Sequence, residues 1–332
     1  MILSSRHRVS IRTFLAFACL MFGISGLALG APASSGPPAP AATQPADAKV
    51  VKVLYVEGLP RWEYRYIKLA LLHHPAVRIS CLLTSADPAF EQEASDPDPK
   101  IGFAGRVKAF PETAEALAAY DVILFGDVDK RLFSDQQLDL IGDFVRKHGG
   151  GFGMIAGPHY SPVSYRNTPI ADLLPVNIDR VSPDGKDEQF SGEFRPVLTQ
   201  AGRASLIFRS MEEPGGPSDV RPGLRGDADP LYWYCRGVSV RVASDREPPQ
   251  ILAIHPSAKA PNGSDAPLLV LGRCGKGTVL FSAIDDSWRW RPAVGQTAFA
   301  DYWVEQIRAL APIQGKSRVP DQGERPTSVP AP

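Results

Sequence analysis

Between residues 50 and 175 the chain repeats one cycle: a short, nearly continuous apolar run of β-prone residues, then a stretch with helical spacing. Uninterrupted apolar runs belong to strands buried on both faces, and helical crossovers between them predict an α/β domain with a parallel sheet covered on both sides. The first run covers 50–56 and ends at Glu57 and Gly58; Pro60 then suits a helix start, with apolar spacing through Trp62, Tyr66, Leu69 and Leu72. A second strand is expected over 77–83, a short helix over 112–119 and a third strand over 121–126. Ser134 and Gln137 form a capping box for a helix whose face is Leu138, Ile141 and Val145 and which Gly149 stops. Residues 151–155 supply a fourth strand and 168–174 a short helix.

From about 176 to 265 this period gives way to Pro- and Gly-rich turns with scattered strand candidates at 205–208, 238–242 and 251–254. The stretch reads as a β-rich insertion or extension of the same domain. Apolar runs at 267–272 and 277–282 flank Gly275, Lys276 and Gly277, a hairpin signature. Phe299, Trp303, Ile307 and Leu310 then mark one stripe of a closing helix.

The ends have a different composition. Arg6, His7, Arg8 and Arg12 precede an apolar run over 14–29, followed by small residues around Ala31, so residues 1–30 read as a signal peptide or a retained N-terminal anchor. The expected location is periplasmic or secreted, with the membrane touched only if that segment is retained. Residues 31–49, rich in Ala and Pro, and the tail 313–332 cannot bury enough apolar surface to offset ordering entropy, and are expected to be disordered.

Basic and acidic residues balance at 36 each, which leaves no electrostatic footprint for nucleic acid. Beyond residue 30 the cysteines are Cys81, Cys235 and Cys274. Cys81 reads as a small buried hydrophobe, and a Cys235–Cys274 bridge stays open. No CxxC or paired-His spacing accompanies them, so neither a metal site nor a cofactor is expected.

Several segments carry a family likeness: Gly58-Leu59-Pro60-Arg61-Trp62-Glu63-Tyr64-Arg65, the Gly149 to Gly157 run, Thr168-Pro169-Ile170-Ala171-Asp172-Leu173-Leu174-Pro175, Gly275-Lys276-Gly277 and Asp286-Ser287-Trp288-Arg289-Trp290-Arg291. In this order, over about 50–312, the chain resembles the class I glutamine-amidotransferase-like domains of bacterial envelope proteins, many of which accompany von Willebrand factor A modules. The resemblance implies a flavodoxin-like, doubly wound, mostly parallel sheet. It also implies where catalysis would sit: a Cys on a strand-to-helix elbow, aided by a His and a Glu after a late strand. A thiolate, a base and oxyanion donors are what attack on an amide requires. The corresponding elbow here reads Ile155-Ala156-Gly157-Pro158-His159 and the late segment Asp285-Asp286-Ser287-Trp288, so neither role passes to a residue of this chain.

Ligands of doubly wound sheets bind outside the carboxyl ends of the strands. That rule gathers the loops 57–65, 127–130, 157–160 and 285–291. Glu57, Arg61, Trp62 and Arg65 at a helix start could hold an anionic or carbohydrate group; alternatively Trp62 and Tyr66 are core and Glu57 pairs with Arg61 or Arg65. In extended chain Trp288 and Trp290 would share one face and Arg289 and Arg291 the other, giving a binding surface or a buried Trp pair. His159, beside Tyr160, Ser161 and Ser164, is either a base or a hydrogen-bonded structural residue. Glu57, Asp127, Asp129, Asp285 and Asp286 could gather around a hard cation, although loop carboxylates more often cap helices or face water.

The leading expectation is an exported, non-catalytic amidotransferase-like domain that binds an envelope protein partner or small ligand at the carboxyl edge, with Asp127, His159, Tyr160 and Asp286 among its candidate contacts. The alternatives are a hydrolase of an amide, ester or glycan using His159 and crevice carboxylates, and a carbohydrate-binding module using Trp62, Trp288 and Trp290.

Overall fold

The computed structural model describes residues 49–182, 192–211, 229–244 and 246–312. The expected signal or anchor segment and all but residue 49 of the linker lie outside these residues, as does the tail. The described chain begins with β1 (Val51–Glu57), α1 (Trp62–Leu72), β2 (Val77–Leu83), α2 (Ala114–Ala118), β3 (Val122–Phe125), α3 (Asp135–Arg146), β4 (Gly151–Ile155) and α4 (Pro169–Leu173). It continues with β5 (Val176–Asn177), β6 (Val197–Leu198), α5 (Gln200–Ala204), β7 (Ser239–Val240), β8 (Gln250–Lys259), β9 (Asp265–Cys274), β10 (Gly277–Ser282), α6 (Arg291–Val294) and α7 (Gln296–Leu310).

Among the described residues an eight-stranded sheet runs β2-β1-β3-β4-β10-β9-β8-β6. The five strands from β2 to β10 pair in parallel, and the remaining three pairings are antiparallel. This mostly parallel sheet with its helices is compatible with a flavodoxin-like fold. The chain leaves β1 for β2 on one side and then crosses to β3 on the other, so the strand order reverses at β1. Crevices at such a reversal are where open α/β sheets hold ligands.

Local chemistry explains the best-formed elements. The Ser134 hydroxyl accepts from Gln137 N, and the Gln137 side chain accepts from Ser134 N, closing the capping box of α3. Phe299, Trp303, Ile307 and Leu310 are all buried along α7, which packs with α1. Arg273 across the β9–β10 hairpin donates to Thr278 and to the Lys276 carbonyl, fixing the turn.

Several expectations need correction. Residues 205–208 are not a strand; Ser205 caps α5 and the rest begin a 3-10 stretch over Leu206–Met211. Of the stretch 176–265, expected as a β-rich insertion or extension, β8 and β6 extend the main sheet beyond β9, while β5 and β7 pair separately. Cys81, Cys235 and Cys274 are all buried, and the Cys235–Cys274 bridge that the sequence left open is not formed. Cys81 is fully enclosed in β2, and burial pushes its thiol up to about 12. Among the described residues no helix is long and apolar enough to cross a membrane.

The largest revision concerns α1. Its buried residues are Glu63, Tyr64, Ile67, Ala70 and Leu71, whereas Trp62 and Leu69, expected on the apolar stripe, are 54% and 51% exposed. The helix carries two apolar stripes, and the sheet takes the one that includes a glutamate.

Candidate functional site

The carboxyl ends of β1, β3, β4 and β10 converge on a buried polar network. Glu57, the last residue of β1, is fully buried and accepts from Gly58 N at 3.0 Å, Asp127 N at 2.8 Å, Tyr55 Oη at 3.4 Å and Arg61 Nη2 at 3.1 Å. All four partners donate to this carboxyl, while burial, opposed by the Arg61 charge, holds its pKa above the ordinary carboxylate value. Arg61 also donates from Nη1 to Asp285 Oδ2 at 3.1 Å and to the Ala156 carbonyl at 3.2 Å. Burial works against the Arg61 charge, yet the neighbouring carboxylates of Glu57 and Asp285 outweigh it and hold the guanidinium above its ordinary pKa. The loop after β3 approaches so closely that a Cβ on Gly126 would lie 2.1 Å from Glu57 Oε2, which only glycine accommodates.

Asp127, also fully buried, organises the loop after β4. Its carboxylate accepts from the backbone N–H of His159 at 2.9 Å, Tyr160 at 2.6 Å and Ser161 at 2.8 Å. His159 therefore serves the network through its backbone. Its ring is exposed and lies 6.1 Å from that of Tyr160, and among the described residues it pairs with no carboxylate. The geometry required of a His159 base is absent there. Asp129 is likewise committed, to Arg131. Among the described residues no group of three His, Cys, Asp or Glu side chains is disposed to hold a metal ion.

A second layer fixes the segment after β10. Ser287 Oγ donates to Glu63 Oε1 at 2.6 Å and Trp288 N to Glu63 Oε2 at 3.1 Å. Burial raises the Glu63 pKa to about 8 despite these donors. Asp286 is 7% exposed and accepts from Tyr232 N at 2.9 Å. Arg289 Nε lies 3.4 Å from its Oδ2, and burial pushes its carboxyl up to about 7. The segment is a 3-10 turn over Ser287–Trp290, not extended chain. With about three residues per turn, positions two apart diverge. Trp288 stays part-exposed while Trp290, 2% exposed, packs edge-on against Tyr302 with centroids 5.6 Å apart. Trp290 is thus a core residue and offers no surface to a ligand.

Outside the network the same two segments build an aromatic face. Trp62, Tyr66 and Trp288 lie within 34° of parallel, with centroids 5.6 to 5.9 Å apart. Arg291 stands 4.0 Å over Tyr66, Arg289 4.6 Å over Trp288 and 4.7 Å over Tyr232, and Arg65 5.4 Å over Trp62. Rings and guanidinium groups attract through the ring quadrupole, which orders the arginines without neutralising them. The structure therefore brings Trp62, Arg65, Trp288, Arg289 and Arg291 together on this face. It brings Glu57, Arg61 and Asp127 together inside, and leaves His159 and Tyr160 on the β4 loop. Glu63, Tyr66 and Tyr232 complete the arrangement and were not marked by the sequence reading. The spacing of four between Trp62 and Tyr66 is the one sequence signal for this pair, and it fits a core stripe as well as a surface cluster.

No family model matches the chain, and no curated protein matches it. Among solved structures the chain is similar to a cytoplasmic protein from Salmonella typhimurium, at 19% identity over 79% of this chain and 100% of that one, with a TM-score of 0.50. A second cytoplasmic protein, from Salmonella typhimurium LT2, matches at 21% identity over 78% and 99%, with a TM-score of 0.48. A ThuA-like protein from Parabacteroides merdae matches at 12% identity over 81% and 93%, with a TM-score of 0.41. ThuA-like proteins have a class I glutamine-amidotransferase-like fold. At these identities the likeness concerns the fold alone, an α/β sheet domain seen through most of the chain.

Proposed function

We propose that this chain is an exported, non-catalytic amidotransferase-like domain that binds a protein partner or small ligand at the carboxyl edge of its sheet, through the face of Trp62, Tyr66 and Trp288. One observation carries the reading: Trp62 is 54% exposed while stacked with two further rings and bordered by three arginines. Tryptophan and arginine are the residues most enriched where binding energy concentrates, and the arginines favour acidic groups on whatever docks. Glu57, Arg61 and Asp285 are bound to one another and Asp127 to backbone amides, and β4 runs into Ala156, Gly157 and Pro158 without a nucleophile. Export rests on the basic and apolar pattern of residues 1–30.

The test pairs two measurements on the purified protein. Glutamine, ester and glycan substrates should show no turnover above background, and proteins captured from an envelope extract should be lost with the Trp62→Ala/Trp288→Ala double variant. Turnover that disappears with His159→Ala would overturn the non-catalytic reading, and capture indifferent to both tryptophans would remove the face from the proposal.

A further inference from the structure

Beside the loop that follows β4 lies a cavity of about 240 Å³ whose described lining includes none of Trp62, Tyr66, Tyr232 or Trp288. One wall is the loop after β4, with Gly157 and Ser161; another is Arg180 and Val181; the third is the run from Trp233 to Gly237. A water's share of liquid volume is about 30 Å³, so the space suits a molecule the size of roughly eight waters. It opens at the carboxyl end of β4, in the position where open α/β sheets bind small ligands.

The walls are built and held. Asp127 fixes the β4 loop through three backbone N–H groups, which sets the buried Ser161 at the cavity edge. Gly237, at φ 81°, presses so close to the opposite wall that a Cβ there would lie 2.2 Å from the Arg180 carbonyl oxygen. Cys235 N donates to the Ala283 carbonyl at 2.7 Å, which ties the third wall to the end of β10.

Among the described residues the charge of the lining is one-sided: Arg180 and Arg236, both exposed, border the cavity and no aspartate or glutamate does. Among the described residues neither guanidinium has a carboxylate partner; Arg236 lies 5.7 Å over the Tyr234 ring, a contact that leaves its charge uncompensated. A concave site lined by one sign of charge concentrates the opposite ion, and guanidinium forks match carboxylate and phosphate oxygens in pairs. Val163, Val181 and the part-exposed Trp233 supply an apolar side. Arg180 and Arg236 are 56 positions apart in sequence, which is why the sequence alone did not join them.

We propose that this cavity binds a small organic anion, its carboxylate or phosphate group held between Arg180 and Arg236 and its apolar body against Trp233. Its described lining shares no side chain with the aromatic face, Trp233 being the chain neighbour of Tyr232, and the proposal stands or falls separately from the function proposed for that face.

The test uses the full chain with phosphate, pyruvate and benzoate as probes, read by titration calorimetry and by the rise in melting temperature. At least one probe should bind saturably at one site, and the Arg180→Gln/Arg236→Gln double variant should bind it at least tenfold more weakly with an unchanged melting temperature in its absence. Trp233→Leu should weaken benzoate and leave phosphate unaffected, which separates a carboxylate with an apolar body from a bare phosphate. Arg65→Gln, on the aromatic face, should change none of these. No saturable binding by any probe, or binding equally strong in the double arginine variant, would overturn the proposal. Loss of binding with Arg65→Gln would move the anion to the aromatic face and overturn it as well.

Discussion

Arg61 and Trp62 are neighbours in sequence and opposite in environment. Arg61 turns inward, 10% exposed, and divides its guanidinium between Glu57 and Asp285. Trp62 turns outward and shares its rings with Tyr66 and Trp288. In the inner region Arg61 pairs with Glu57 and Asp285 while Asp127 is committed to backbone N–H groups; the outer region is bordered by arginines that stack on rings and, at Arg65 and Arg291, meet no acid among the described residues. The difference teaches that charge at the mouth of an α/β crevice is not by itself a site. What distinguishes a framework from a binding surface is whether the polar groups already have partners.

The sharpest way to break this comparison is to remove the inner cation. Arg61→Ala leaves the buried Glu57 and the part-exposed Asp285 without their shared counter-charge, and losing one member of a buried ion pair costs about 3–5 kcal/mol. Urea unfolding should show that loss as a lower midpoint. A change below about 1 kcal/mol would mean that solvent reaches the network and that the inner region is available to a ligand after all.

Asp127→Ala follows in size. Three backbone N–H groups on the β4 loop lose one shared acceptor, and leaving such donors unsatisfied costs on the order of 3 kcal/mol when the loop can relax partly toward water. Amide hydrogen exchange at His159, Tyr160 and Ser161 should accelerate while the amides of β1 stay protected. Uniform acceleration throughout the sheet would show instead that Asp127 supports the whole domain.

Acid and base bear on the boundary between the two regions. Burial raises Glu63 to about 8 and Asp286 to about 7, so the fold favours the protonated form of each. Such groups stabilise the fold fully below their unfolded pKa values, near 4, and that contribution fades as pH rises through the folded values. Stability should therefore fall as pH rises from about 4 to about 8, and Glu63→Gln should flatten the dependence. A profile that rises across this window would mean that the two carboxyls are ionised in the folded protein.

The parts of the fold written in local chemistry could be read directly. The Ser134–Gln137 box, the α7 stripe and the Gly275 hairpin each depend on residues a few positions apart, and each forms as its pattern implies. The α1 stripe could not be read this way, because two faces of that helix have apolar spacing. Glu63 is acceptable in the core only because Ser287 and Trp288, more than two hundred residues later, supply its donors. The alternation of Trp288 to Arg291 misled for a related reason: it specifies faces only once the backbone state is known, and the 3-10 turn is imposed by that same contact to Glu63. The crevice loops were correctly gathered by the strand-end rule, but which of their charges pair was decided by distances that sequence spacing does not encode.

The smallest effect on stability should come from the outer region. With Trp62 54% exposed, Trp62→Ala removes one partner of a ring cluster and little buried area, which amounts to no more than about 1 kcal/mol. The same change deletes the most accessible ring of the aromatic face, where truncating one anchor of a binding surface commonly costs 2 kcal/mol or more in affinity. Stability and binding should thus separate: Trp62→Ala folds like the parent and fails to capture its partner, while Arg61→Ala loses stability first. If Trp62→Ala instead unfolds the domain as readily as Arg61→Ala, the ring cluster is a structural clasp between α1 and the 287–290 turn, and the distinction between framework and surface at this edge disappears.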